Sequence, residues 1–313
     1  MIKITLPDNS VKEYEVGISV GQVTKDISEG LYRQALGAVV NGVTRGYMEP
    51  INEDSDFRVV KFDDPEGKEI FWHTSSHVMA AAIEALWPDT KFAIGPAIAD
   101  GFYYDMELDH RFVPEDFEKI EKKMLEIAKA DHKMERIEIS RAEALKMFEE
   151  MGQDYKIELI NDLPEDELIT LYKMGDAFVD LCRGPHLEST KKIKAVKLKT
   201  IAGAYWRGDS DRQMLQRIYG ISFEKAKQLE EWKELQKEIE RRDHRKIGRE
   251  MDLFSFHEEG PGFPFFHPNG MILMNELLDW WRGVLDERGY GEIKTPLIMN
   301  EELWHRSGHW AHY

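Results

Sequence analysis

The sequence predicts an α+β protein of several domains. The chain has 313 residues, more than one typical domain, and its 42% hydrophobic fraction is ordinary for a protein that buries a core. Segments with strand-like alternation are interspersed with segments whose apolar residues recur at helical spacing. No internal repeat and no low-complexity tract is present. We therefore expect strands and helices to be mixed within each of several domains.

Residues 1 to 62 predict a small β-grasp, ubiquitin-like module. "IKITL" alternates like a strand, "PDNS" is a turn, and "KEYEV" is a second strand. "SVGQVTKDI" begins with a capping box, Ser19 with Gln22, which favours a short helix. "GAVVNG" and "FRVVKF" supply further strands. The polar, turn-rich "DDPEGKE", residues 63 to 69, predicts a linker.

Residues 63 to 221 predict a larger α+β domain. A helix over 72 to 87 ends at Pro88, and "KFAIGPAIADGFYYDMEL" follows as strands around Gly and Pro turns. "PEDFEKIEKKMLEIAKAD" and "SRAEALKMFEEMG" are amphipathic helices on either side of the strand "KMERIEI". Residues 155 to 220 predict short strands joined by Gly-rich turns.

The rest of the chain predicts a connector and the beginning of another domain. Residues 222 to 247 favour one long helix with a narrow apolar stripe. Residues 248 to 313 are rich in aromatic residues, Gly and Pro, and predict a helix followed by an extended segment.

Composition excludes several classes of function. The net charge of −17 argues against a protein that coats nucleic acid without sequence specificity. No apolar run approaches the roughly 20 residues that a membrane-spanning helix needs, and the N-terminus does not have the pattern of a secretory signal. The single cysteine, Cys182, excludes an internal disulfide and fits a reducing compartment. We therefore expect a cytoplasmic location and no membrane partner.

One local segment is basic. "RRDHRKIGR", residues 241 to 249, holds five Lys or Arg residues against one Asp. Phosphate contacts and a solvated helix end explain this composition equally well. The candidates for phosphate contact are Arg241, Arg242, Arg245 and Lys246.

Two histidine-containing pairs carry the strongest chemical signal. "FWHTSSHVM" places His73 and His77 four positions apart, on one face of a helix. "VDLCRGPHLE" places Cys182 and His186 at the same spacing, on a loop. Three imidazoles and a thiol are a plausible tetrahedral zinc set. Each pair alone is weak evidence, but the only cysteine of the chain lies in the second pair.

The order of four long motifs resembles bacterial threonyl-tRNA synthetases over the whole chain. The motifs are "HTSSHVMAAAIEALWPDTKFAIGPAIADGFYYD", "VDLCRGPH", "GAYWRGDSDRQMLQRIYG" and "RRDHRKIGREMDLF". The resemblance implies a TGS domain at 1–62, an editing (seryl-tRNA deacylase) domain at 63–221 and a linker helix at 222–247. It also implies that 248–313 is the N-terminal part of a class II aminoacylation core, with Pro296 as the proline of its first motif.

The resemblance also implies an editing site and assigns residues to it. They are His73, His77, Lys156, Asp180, Cys182 and His186, with Tyr104 as a candidate wall of the substrate pocket. Imidazoles and a lysine can position and deprotonate water or neutralise an oxyanion, and Asp180 can hold an amino group or orient a water. We expect Cys182 to have a positioning role rather than a nucleophilic one.

Several cofactors and partners follow from the same resemblance. We expect editing without metal, with zinc on His73, His77, Cys182 and His186 as the alternative. The full-length family uses ATP, Mg and Zn through ligands beyond this chain, so we expect no threonine activation by these 313 residues alone. The implied partners are tRNA(Thr), mischarged seryl-tRNA, serine and threonine, and the full-length family forms homodimers.

Two rival interpretations use the same residues. One is a free-standing metal-dependent aminoacyl-tRNA hydrolase, which would leave residues 248 to 313 without a purpose. The other is a noncatalytic RNA-binding or regulatory module, which would leave the polar constellation unexplained.

Overall fold

The computed structural model describes residues 1–312. Two compact units divide the chain, Met1–Lys233 and Glu234–Tyr313. The first unit contains two layered α+β parts, and the α+β class predicted from the sequence is confirmed.

The N-terminal module is a mixed sheet covered by a helix. Its sheet has the strand order β2-β1-β7-β4-β5, in which β1 and β7 run parallel and the other neighbours antiparallel. The elements are β1 (Ile2–Thr5), β2 (Val11–Tyr14), β3 (Ile18–Ser19), α1 (Val20–Ile27), α2 (Glu29–Gln34), β4 (Ala35–Val40), β5 (Val43–Gly46), β6 (Pro50–Ile51) and β7 (Ser55–Lys61). The Ser19 capping box opens α1 as predicted. Helix α2 was not predicted, and Ser28 caps it.

Helix α3 (Pro65–Leu86) is the centre of the second part of the first unit. It begins at Pro65 rather than at residue 72, so most of the predicted linker is the first turns of this helix. Proline is favoured at the first position of a helix, because the N–H that it lacks would have no intrahelical acceptor there. Fourteen of the 22 residues of α3 are buried, around its full circumference.

Two sheets and three further helices complete this part of the unit. One sheet has the order β14-β15-β10-β8, with β9 also paired to β10, and the other has the order β11-β12-β13. The elements are β8 (Lys91–Phe92), β9 (Ala97–Ile98), β10 (Gly101–Glu107), α4 (Asp116–Lys129), β11 (Met134–Ile139), α5 (Arg141–Glu150), α6 (Asp154–Asp162), β12 (Ile169–Met174), β13 (Phe178–Leu181), β14 (Ala195–Tyr205) and β15 (Met214–Phe223), with 3₁₀ turns at Thr190–Lys192 and Trp206–Gly208.

Residues 155 to 220 differ from the prediction of short strands. Helix α6 was missed because one of its inward positions is Lys156, a buried charge that hides the apolar period. Strands β14 and β15 are long, with 11 and 10 residues, and form one antiparallel ribbon.

The predicted long helix over 222 to 247 is two helices. Ser222 and Phe223 complete β15, and α7 (Ala226–Arg241) starts after them. A break follows, and Asp243 caps α8 (His244–Glu250) by accepting a hydrogen bond from the backbone N–H of Arg245. An aspartate side chain that binds a nearby backbone N–H favours a new helix start over continuation.

The second unit has little sheet. Its remaining elements are β16 (Phe254–Ser255), β17 (Phe265–Phe266), α9 (Pro268–Glu287), α10 (Glu301–Arg306) and a 3₁₀ turn at His309–Ala311. The helix predicted here is present as α9, and residues 290–300 after it form neither a strand nor a helix. Among the described residues, no helix is both long and apolar enough to cross a membrane.

Candidate active site

Three imidazoles meet between α3 and the loop that follows β13. His73 and His77 lie one turn apart on α3, with ring centroids 5.3 Å apart. The ring of His186 lies 4.2 Å from that of His73 and 4.3 Å from that of His77. The two four-residue pairs singled out in the sequence therefore form one cluster.

The thiol of Cys182 joins two of these rings. Its Sγ lies 3.3 Å from Nε2 of His73 and 3.2 Å from Nε2 of His186. The backbone N–H of Gly184 also donates to this sulfur, at 3.2 Å. His73 and Cys182 are the partly exposed members of the cluster, whereas His77 and His186 are buried.

A buried ion pair lies behind the cluster. Nζ of Lys156 is 2.5 Å from Oδ1 of Asp180, and it donates to the carbonyl of Ala93 at 2.8 Å and to the hydroxyl of Tyr104 at 3.1 Å. Tyr104 donates in turn to Oδ2 of Asp180, and Nε2 of His77 is 3.5 Å from the same oxygen. Lys156 and Asp180 are only 3% and 2% exposed, so each charge is balanced by the other rather than by water.

These surroundings set the protonation states. Burial lowers the pKa of His73 to about 4 and that of His77 to about 3, so both imidazoles are neutral at pH 7. Burial raises the pKa of the Cys182 thiol to about 12, which keeps it protonated. Burial opposes ionisation of Asp180 as well, but Lys156, His77 and the hydrogen bond from Tyr104 together outweigh it, and the pKa of the carboxyl is lowered.

Thr74 orients the third imidazole, and nothing in the sequence indicates this role beyond its place inside "HTSSH". Its hydroxyl donates to the carbonyl of Ile70 at 2.9 Å and accepts from the backbone N–H of Leu187 at 2.9 Å. Nδ1 of His186 lies 3.1 Å from the same oxygen. Because the hydroxyl hydrogen is already used, Nδ1 carries the proton, and Nε2 presents a lone pair to Cys182.

The structure brings all seven predicted site residues into one connected group. Tyr104 is fully buried and hydrogen-bonded to Asp180, so it is a support of the charged pair rather than a pocket wall. Asp180 has both oxygens engaged by protein groups, which leaves it suited to orienting His77 and Lys156.

A cleft of about 190 Å³ opens beside the thiol. It is lined by Leu163, Leu168, Ile169, Thr170, Leu181, Cys182 and Arg183. A larger cleft of about 690 Å³ lies between the end of α3 and strands β10 and β15, and none of the seven site residues lines it. We take the smaller cleft as the approach to the site, because it alone of the two reaches Cys182.

The four donor groups fit a metal ion. One ligand atom from each of His73, His77, Cys182 and His186 lies within 4.8 Å of the others. Nδ1 of His77 is buried and has no hydrogen-bond partner among the described residues. Neutral imidazoles and a thiol are the donor set that zinc prefers.

The basic segment is separate from this site along the chain. Arg241 and Arg242 both pair with Glu238, and Arg245 pairs with Asp243. These contacts neutralise part of the positive charge that the segment "RRDHRKIGR" has in the sequence.

Comparison with known families defines the class of protein. Residues 2–61 match the TGS domain family. Residues 169–219 match the family described as threonyl and alanyl tRNA synthetase second additional domain. The second of these segments is thus similar to a domain of threonyl and alanyl tRNA synthetases.

Relatives of known name narrow the class. The chain is 61% identical to the threonine--tRNA ligase of Finegoldia magna, 59% to that of Clostridioides difficile and 54% to that of Acetivibrio thermocellus. Each match covers 100% of this chain and 49% of the relative. The chain is similar to threonine--tRNA ligases along its whole length, and it spans about half the length of the curated relatives that it matches.

Proposed function

We propose that this chain carries the editing function of a threonine--tRNA ligase, the hydrolysis of seryl-tRNA(Thr). The observation that carries the proposal is the convergence of three neutral imidazoles, a thiol and a buried Lys–Asp pair beside an open cleft. The aminoacylation of tRNA(Thr) with threonine and ATP, together with Mg and Zn binding and a homodimeric state, is proposed for the full-length protein only.

A ligase for threonine needs such a site. Serine differs from threonine by one methyl group, and a missing methylene is worth only about 1–3 kcal/mol of discrimination in a binding pocket. A second site that admits serine and excludes the extra methyl corrects the error after transfer to tRNA.

His73 is the proposed acceptor of a proton from the attacking water. It is the partly exposed imidazole, and it is neutral at pH 7, so one of its two ring nitrogens is unprotonated. Cys182 stays a thiol and holds His73 and His186 in place through its two sulfur–nitrogen contacts, so we assign it positioning rather than nucleophilic attack.

The buried pair of Lys156 and Asp180 contributes to this chemistry without contacting the substrate. Lys156 carries the positive charge nearest to the cluster and is proposed to stabilise negative charge on the ester oxygen through the local field. Asp180 fixes Lys156 and His77 and keeps the site electrically balanced.

We propose that this hydrolysis needs no metal, with zinc as the alternative. The sulfur–nitrogen distances of 3.2 and 3.3 Å fit both thiol–imidazole hydrogen bonds and shared ligation of one ion, so the choice between the two is left to the chelation experiment. If zinc is bound, His73, His77, Cys182 and His186 would hold it, and it would supply Lewis acidity to a water molecule.

A deacylation assay with purified chain tests the proposal. Seryl-tRNA(Thr) should be hydrolysed and threonyl-tRNA(Thr) spared, and hydrolysis should survive prolonged chelation in protein that contains no zinc by elemental analysis. Loss of activity on chelation, with recovery on adding zinc, would establish the metal alternative. Absence of seryl-tRNA hydrolysis by folded protein would remove the editing assignment from this chain.

A further inference from the structure

We infer that the N-terminal β-grasp module positions His186, through two glycines, Gly37 and Gly46, that let its backbone contact the site. The inference rests on the proposed function for its activity readout. It gives the module, residues 1 to 62, a role in hydrolysis although none of its residues is among the seven of the site.

Gly46, the last residue of β5, lies directly against the loop that carries His186. A Cβ placed on Gly46 would be 2.9 Å from the backbone carbonyl oxygen of His186 and 3.5 Å from Cβ of Pro185. Gly46 is buried, and its N–H donates to Oε1 of Glu49 at 2.8 Å, which fixes the turn after β5. Only glycine allows this close approach of one backbone to the other.

Gly37 makes the matching contact with α3. It is the register partner of Gly46 across β4 and β5. A Cβ on Gly37 would be 2.4 Å from the carbonyl oxygen of Arg45 on the neighbouring strand β5, and 2.7 Å from Cδ1 of Ile70, on the turn of α3 that precedes His73. Two neighbouring positions of the module sheet therefore contact the helix and the loop between which the imidazoles lie.

A short chain of hydrogen bonds joins these two contacts. The carbonyl of Ile70 accepts from the Thr74 hydroxyl, which lies 3.1 Å from Nδ1 of His186. Gly37 lies against the side chain of Ile70, at one end of this series of hydrogen bonds. Gly46 lies against the backbone of His186, at the other end. Displacing either end changes the direction in which Nε2 of His186 faces Cys182.

Polar contacts from α2 hold the same loop further along. The hydroxyl of Tyr32 donates to Oε2 of Glu188 at 3.0 Å, and Nζ of Lys192 donates to the carbonyl of Arg33 at 2.7 Å. Tyr32 is itself stacked on Tyr47, with ring centroids 5.0 Å apart. These bonds prevent the loop from moving away from Gly46 as a unit.

Gly46→Ala tests the inference in the full 313-residue chain. The added methyl requires the His186 backbone to shift by some tenths of an ångström, and misplacement of a reacting group by about 1 Å can cost about 100-fold in rate. We expect kcat for seryl-tRNA(Thr) to fall roughly tenfold with little change in KM, since tRNA contacts outside the site are untouched.

Gly30→Ala is the matched control. Gly30 is an exposed residue of α2, and the nearest atom to its added Cβ would be Oγ of Ser28 at an ordinary 3.6 Å. It adds the same methyl to the same module, and kcat should equal that of the wild type. A role of the module in stability alone would change the melting temperature without changing kcat per folded molecule.

A second readout does not depend on activity. In protein labelled with ¹⁵N-histidine, the ring nitrogen resonances of His186 should move in Gly46→Ala and stay in place in Gly30→Ala. If the wild type does not hydrolyse seryl-tRNA, the proposed function fails, and these resonances alone decide the positioning role. Unchanged resonances together with unchanged kcat in folded Gly46→Ala would overturn the inference.

Tyr32→Phe covers the case in which Gly46→Ala does not fold. It removes only the hydrogen bond to Glu188 and adds no volume. We expect a two- to threefold fall in kcat and a smaller shift of the His186 resonances. Wild-type values of both quantities in this variant would count against the inference.

Discussion

Helices α3 and α9 are alike in sequence and opposite in surroundings. Both start at a proline, both are long, with 22 and 20 residues, and both are rich in apolar residues. In α3 fourteen residues are buried, whereas in α9 Gly270 alone is. The side chains of Trp280 and Trp281 on α9 are 69% and 55% exposed.

The difference shows what an apolar helix requires from its neighbours. An α-helix that is apolar around much of its circumference is stable only when other elements cover it. Two sheets and helix α4 cover α3, and the site residues His73 and His77 are held rigidly for that reason. The apolar side chains of α9 have no comparable cover within the described residues.

The largest expected effect is on hydrogen exchange. Amides of α3 should exchange only through global opening, and amides of α9 through local opening. We expect exchange at least three orders of magnitude slower in residues 65 to 86 than in residues 268 to 287, measured by mass spectrometry on peptides. Equal protection of the two helices from exchange would show that another protein surface covers α9 in solution.

The next effect is on the hydrolysis proposed for the residues that α3 carries. His73→Ala should slow the hydrolysis of seryl-tRNA(Thr) by about two to four decades, because it removes the proposed general base. The control is His305→Ala, an exposed histidine of the second unit, which should leave the rate unchanged. A rate within threefold of the wild type for His73→Ala would assign the proton transfer to another group.

Truncating one side chain on each helix tests the burial difference directly. Ile83 of α3 is 0% exposed and Leu277 of α9 is 56% exposed. Ile83→Ala should lower the free energy of unfolding by about 2–5 kcal/mol, through lost burial and the cavity left behind. Leu277→Ala should change it by less than about 0.5 kcal/mol. Urea unfolding followed at the amides of each helix measures the two free energies of unfolding. Similar losses of stability in Ile83→Ala and Leu277→Ala would contradict the difference in burial.

The smallest expected effect concerns the exposed aromatic face of α9. Trp280→Gln should leave the free energy of unfolding within about 0.5 kcal/mol of the wild type, because the indole is largely in water already. Thermal unfolding of the second unit measures this. A clear loss of stability would mean that the indole packs against something in solution.

The local features of the fold could be predicted from the sequence. The capping box at Ser19, the strands of the N-terminal module and the amphipathic helix α4 all depend on residues within a few positions of one another. The pairs His73/His77 and Cys182/His186 were recognisable for the same reason, since each has its own short spacing.

Helix α6 was missed because its cause is not local. Lys156 is on the inward face of α6 only because Asp180, from a distant strand, balances its charge there. Helical periodicity counts lysine as a solvent-exposed position, so it does not predict this helix. Thr74 likewise has a role only when the loop of His186 is folded against it.

The sequence by itself determined which chemical groups the site contains and which face of α3 carries two of them. Only the tertiary structure decided that the groups meet, because the thiol of Cys182 and the ring of His73 are 109 residues apart along the chain. It also decided their charges: burial lowers the pKa of the histidines and raises that of the thiol, and burial depends on every element packed around α3. Spacing along a chain fixes neighbours within an element, whereas solvent exclusion and electrostatic balance arise only from packing between elements.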